Sequence, residues 1–114
     1  MALHATPRDA GQITVVDFSG KITLGEGSAL LRTTIRGLVD EDRLLLLINL
    51  GDVDYIDSAG IGELVSAYTA VKNRGGELKL LNLTKKVRDL LQITKLYTVF
   101  DVFTDEGTAV RSFS

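Results

Sequence analysis

Hydrophobic residues along the chain follow two spacings, one typical of buried strands and one typical of helices. Short apolar runs predict strands, and the run RLLLLINL, which is bounded by charges and Gly51, predicts a strand that is buried on both faces. These runs are RLLLLINL (43–50), ELKLLNL (77–83) and TVFDVF (98–103), and QITVVDFSGKIT (12–23) predicts two short strands broken at Ser19-Gly20. The residues before position 12 include Pro7 and the only histidine, and we expect residues 1–11 to form a loose lead-in to a domain spanning 12–114.

Between the predicted strands, apolar residues recur every three or four positions, as on one face of a helix. Four helices are predicted, beginning near Gly27-Ser28, after Asp57, after Thr84 and after Asp105. Strands that alternate with helices are typical of an α/β domain with parallel central strands. A shorter antiparallel strand can close one edge of such a sheet.

Composition narrows the classes of function. The 114 residues are 45% hydrophobic and 25% charged, as in a globular domain, and the net charge of −2 argues against a nucleic-acid partner. There is no cysteine, and we expect neither a metal nor a cofactor. The start lacks the features of a signal peptide, and no run reaches the roughly 20 apolar residues of a membrane span. We therefore expect a cytoplasmic protein without a membrane partner.

The stretch YIDSAGIGELV at 55–65 poses the main question, because glycine costs about 1 kcal/mol relative to alanine inside a helix. One interpretation is structural: Ser58 is the N-cap, and the glycines ease a tight turn between strand and helix. The other is functional. Ser58, Gly62 and Ser66 share a helix face opposite the apolar stripe, and small residues there leave room for a partner.

On the functional interpretation, Ser58 is a phosphorylation site. A phosphoryl group would add about −1.5 to −2 charges beside aspartates and could rest on the free amides of the helix N-terminus. The residue patterns alone leave cap and switch equally supported. A catalytic Ser58 is disfavoured, because Ile56 replaces the glycine of a nucleophile elbow and His4 lies in the predicted lead-in. We expect no enzyme.

The sequence from about Ile13 to Phe113 resembles the STAS domain of bacterial anti-sigma factor antagonists, most specifically at Asp-Ser-Ala-Gly-Ile-Gly (57–62). The resemblance implies a four- to five-stranded mixed sheet with helices packed beside it. It also implies that an ATP-using anti-sigma factor kinase phosphorylates Ser58 and that a PP2C-type phosphatase reverses this. The unphosphorylated form would bind the kinase and free a sigma factor. Asn49 departs from the family, which often has aspartate there.

We therefore expect a non-enzymatic anti-sigma factor antagonist that docks through the start of the second predicted helix and the preceding loop. The expected contact residues are Asp57, Ser58, Ala59, Gly62, Glu63 and Ser66, with Leu24 to Ser28 and in particular Gly25 and Ser28. Two alternatives stay open: a stressosome-like scaffold, and a module that binds a nucleotide or another small ligand.

Overall fold

The computed structural model describes residues 2–113. The strands are β1 (His4–Ala10), β2 (Ile13–Ile22), β3 (Leu45–Ile56), β4 (Glu77–Leu81) and β5 (Val102–Phe103). The α-helices are α1 (Glu26–Asp40), α2 (Ser58–Asn73), α3 (Lys85–Ile93) and α4 (Glu106–Ser112), and a 3-10 turn spans Leu96–Thr98.

The five strands form one sheet whose spatial order, β1-β2-β3-β4-β5, is also their order along the chain. β1 runs antiparallel to β2, and the other neighbours are parallel. The predicted mixed α/β sheet with an antiparallel edge strand is confirmed. Because each parallel crossover leads to the adjacent strand with the same hand, α1, α2 and α3 cover one face of the sheet.

Two hydrophobic clusters pack against opposite faces of the sheet. The larger contains Leu46 and Ile48 of β3 with the apolar residues of α1, α2 and α3. The smaller contains Leu47 of β3 and Ala109 of α4. β3 is thus buried on both faces, as its unbroken apolar run predicts, and it lies at the centre of the sheet with α2 directly after it.

The predicted loose lead-in is wrong, because residues 4–10 form strand β1 and Leu3 is only 7% exposed. The predicted break at Ser19-Gly20 is also wrong, since β2 is one strand with irregular register on either side of these residues. Gly20 has φ of 110°, and a Cβ there would collide with the carbonyl oxygen of Ala2. Glycine at position 20 therefore lets the backbone at Ala2 pack close to β2, and it does not end the strand.

The last predicted strand is much shorter than its apolar run suggests. Residues 96–98 form the 3-10 turn, and only Val102 and Phe103 pair with β4. Lys95, just before the turn, has φ of 61°, a left-handed conformation that ends α3 and redirects the chain.

Removal of residues 1–10 should destabilise the protein, because it unpairs one edge of β2 and exposes the pocket that Leu3 fills. Loss of the buried leucine alone should cost about 1.5–3 kcal/mol of unfolding free energy. Urea denaturation of the shortened chain measures this, and Leu3→Ala separates the side chain from the strand. An unchanged denaturation midpoint would show that residues 1–10 add no stability, as expected of a loose lead-in.

Candidate functional site

The N-terminus of α2, at the carboxyl end of β3, is held by one carboxylate. Asp57 is the N-cap, and its Oδ1 accepts a hydrogen bond from the Gly60 amide at 2.9 Å. Its Oδ2 accepts another from the Leu24 amide at 3.0 Å, in the loop between β2 and α1. Asp57 therefore caps its own helix and fixes the neighbouring loop beside it.

These hydrogen bonds keep Asp57 charged. Burial alone would raise the pKa of the Asp57 carboxyl, but backbone amides of Leu24, Gly60 and Ala59 outweigh it and hold the pKa below its usual range. The helix dipole favours the same negative charge at this end of α2. The site is thus anionic at neutral pH before any modification.

Ser58 is the first residue of α2 and is exposed. The interpretation of Ser58 as the N-cap is wrong, because Asp57 fills that position. The Ser58 hydroxyl makes no hydrogen bond within residues 2–113. Its oxygen is therefore accessible to solvent and to a modifying enzyme without the loss of a structural contact.

The two glycines of the first turns serve different purposes. A Cβ on Gly60 would collide with the carbonyl oxygen of Ile22, so the close packing of α2 against the end of β2 requires this glycine. A Cβ on Gly62 would meet nothing within 4 Å. No contact within residues 2–113 therefore requires glycine at position 62, and α2 has open space beside it there.

The structure brings most of the expected docking residues to one surface. Ser58, Gly62, Ser66 and Gly25 are exposed, and Asp57, Ala59 and Glu63 are partly exposed. Leu24, beside Gly25, is 80% exposed, an unusual position for a leucine. We call the set Leu24, Gly25, Asp57, Ser58, Ala59, Gly62, Glu63 and Ser66 the α2 surface.

Ser28 does not belong to this surface, and its prediction as a contact residue is corrected. It is only 7% exposed, and its hydroxyl donates to the Gly25 carbonyl at 3.3 Å. Arg32 is a neighbour that the sequence patterns missed, since it reaches Glu63 across the helix interface at 2.6 Å. No local signal marks this ion pair, because it depends on how α1 packs against α2.

Asn49 belongs to a separate polar network on the α4 side of the sheet. Its amide donates to Asp17 Oδ1 at 2.8 Å, and its oxygen accepts from the Gly51 amide at 3.0 Å. The hydrogen bond from Arg8 and that from Asn49 hold the pKa of the Asp17 carboxyl below its usual range. Aspartate at position 49 would face Asp17 with a second negative charge. Asn49 is thus matched to Asp17 and makes no contact with Ser58.

Comparisons with known proteins place this geometry in a family. The family model of the STAS domain matches residues 5–109. The anti-sigma-B factor antagonist of Bacillus subtilis is 44% identical over 57 residues, which are 50% of this chain and 52% of that protein. The chain thus spans about half the length of this curated relative.

Solved structures show the same fold. An anti-sigma factor antagonist from Mycobacterium paratuberculosis superposes with a TM-score of 0.88 at 20% identity, over 98% of this chain and 94% of the other. The Bacillus cell fate determinant SpoIIAA in its phosphorylated form superposes with a TM-score of 0.74 at 16% identity, over 95% and 97%.

The chain belongs to the STAS domain family. Within residues 2–113, no helix is both long enough and apolar enough to cross a membrane.

Alanine at the two glycines should change stability in opposite directions. Gly60→Ala should lower the unfolding free energy by about 1–3 kcal/mol through its clash with β2. Gly62→Ala should raise it by up to about 1 kcal/mol, because alanine is the better helix former and has room. Urea denaturation of both variants is the measurement. If both variants were destabilised equally, the space beside Gly62 could not be open.

The charge of Asp57 should contribute stability that acid removes. Because the folded pKa is lowered, this contribution is present above the unfolded pKa and is lost as pH falls through the folded pKa. Asp57→Asn keeps one acceptor but no charge, so it should cost at most about 1 kcal/mol at pH 7. Denaturation of both proteins from pH 7 to pH 2.5 measures the difference, which should shrink towards the acid end. A pH-independent difference would show that charge plays no part.

Proposed function

We propose that this protein is an anti-sigma factor antagonist that binds an anti-sigma factor through the α2 surface and is released by phosphorylation of Ser58. One observation carries the proposal. The Ser58 hydroxyl is exposed and makes no hydrogen bond within residues 2–113. It lies at a helix N-terminus that Asp57 caps, one turn before Gly62, which no contact within the described residues requires. The curated relative that is named an anti-sigma-B factor antagonist supports the same function.

Phosphorylation would act on the interface by charge and bulk. A phosphoryl group adds about −1.5 to −2 charges at pH 7. It would add to the negative charge of Asp57, the residue that precedes Ser58 and caps the same helix. A partner packed against the small residues of α2 would meet both repulsion and steric overlap, and would dissociate.

The fold would not change on modification. The contacts that begin α2 are made by Asp57 and by backbone groups, so the Ser58 oxygen can be substituted without breaking them. The helix N-terminus also stabilises an added negative charge. The switch thus works through affinity and leaves stability nearly constant.

The partners of this mechanism are an anti-sigma factor that is a serine kinase and a PP2C-type phosphatase, both acting in the cytoplasm. The protein itself performs no catalysis, and no cofactor enters the scheme. That one solved structure of this fold is a phosphorylated form fits a modified serine. The small-ligand alternative has less support, because the strand order within the described residues never reverses and the sheet therefore has no topological switch point.

The direct test compares Ser58→Ala and Ser58→Asp in binding to the cognate anti-sigma factor kinase. Ser58→Ala should bind as tightly as the unmodified protein and should resist phosphorylation. Ser58→Asp should bind at least about tenfold more weakly, the effect of about 1.4 kcal/mol. Calorimetry gives the affinities, and mass mapping after incubation with ATP identifies the modified residue.

Thr6 supplies the matched control, because it is an exposed hydroxyl on the edge strand β1. Thr6→Ala and Thr6→Asp should leave binding and phosphorylation unchanged. Equal affinity of the two Ser58 variants, or a phosphoryl group on another residue, would refute the switch. A large drop in the melting temperature of Ser58→Asp would show that modification acts on the fold instead.

A further inference from the structure

The β5 edge of the sheet carries apolar side chains that residues 2–113 leave uncovered. Tyr97, before β5, is 56% exposed and Val102 of β5 is 40% exposed. Tyr97 and Val102 line a groove of about 440 Å³ whose wall includes Phe100. Apolar groups grouped at a sheet edge are typical of an interaction surface.

The backbone of β5 is also open on this side. Within the described chain, β5 pairs only with β4. The carbonyls of Asp101 and Phe103 accept hydrogen bonds from the Leu80 and Asn82 amides, each at 2.9 Å. Because backbone groups of successive strand residues point to opposite edges, the N–H and C=O of Val102 face outward. They are placed to pair with another strand.

The groove carries one positive and one negative side chain, so two copies of the groove can be complementary in charge. Arg88 and Asp101 both line it, but no ion pair joins them within residues 2–113. The cation nearest Asp101 is Lys79, whose Nζ lies 3.9 Å away. A twofold axis beside β5 would bring an arginine and an aspartate from each copy to the shared groove, so opposite charges would be available on both sides of a symmetric interface.

We propose that a second copy of this chain binds along the β5 edge, with the two β5 strands antiparallel and the two Val102 residues opposite each other. A residue on the twofold axis pairs with itself through both of its backbone groups. Tyr97 and Val102 of each copy would cover the groove of the other. α2 contributes no residue to this groove, so the dimer leaves Ser58 accessible. The inference is independent of the proposed function.

Sedimentation equilibrium of the 114-residue chain, from about 10 µM to about 1 mM, should show a reversible dimer. Tyr97→Ser should raise the dimer dissociation constant at least about tenfold, because it removes apolar area that would cover the groove of the other copy. Leu24→Ser is the matched control, since Leu24 is an even more exposed apolar residue, at 80%, and lies on the α2 surface. It should leave the dimer unchanged.

Charge reversal tests the geometry. Arg88→Asp and Asp101→Arg should each raise the dissociation constant at least about tenfold, since each sets like charges together at two symmetric places. The double variant should restore affinity to within about threefold of the unmodified protein, because the pairs re-form with exchanged sign. Circular dichroism confirms that each variant is folded.

A chain that stays monomeric across this concentration range overturns the proposal. So does a dimer that survives Tyr97→Ser, a dimer that Leu24→Ser abolishes, or a double variant as weak as its single components. A large assembly in place of a dimer also contradicts the twofold arrangement and would favour a scaffold.

Discussion

The bridge made by the Asp57 carboxylate is the contact on which the site depends. One oxygen caps α2 at Gly60, and the other holds the Leu24 amide of the preceding loop. Two segments 33 residues apart in the chain thus share one anchor. Because Asp57 supplies the cap, the Ser58 hydroxyl makes no hydrogen bond within the described residues. Its modification would therefore break no structural contact.

The two glycines at the start of α2 look alike in the sequence, but they are present for different physical reasons. Gly60 is required by the close approach of β2, whereas Gly62 borders open space within the described residues. The first glycine lets the helix sit close to the sheet, and the second leaves its outer flank bare. The exposed Ser58 lies at the N-terminal end of this open flank.

The central part of the fold could be predicted because its pattern is unambiguous. β3 is apolar on both faces, and the stripe of α2 follows it directly. β1 was missed because it is an edge strand whose residues are mostly exposed, so it carries no apolar signal. The assignment of Ser58 as the N-cap failed because aspartate and serine cap equally well. In the structure, Asp57 accepts hydrogen bonds from both Gly60 and Leu24, and the second of these partners is distant in sequence.

The proposed switch requires that modification of Ser58 change the surface and leave the fold intact. The most direct measurement is a two-dimensional NMR comparison of the unmodified protein with one that carries phosphoserine at position 58. The account predicts amide shift changes confined to the first turn of α2 and the loop around Leu24, with the remaining amides unmoved. Changes spread through β4 and α3, or loss of the dispersed spectrum, would contradict it.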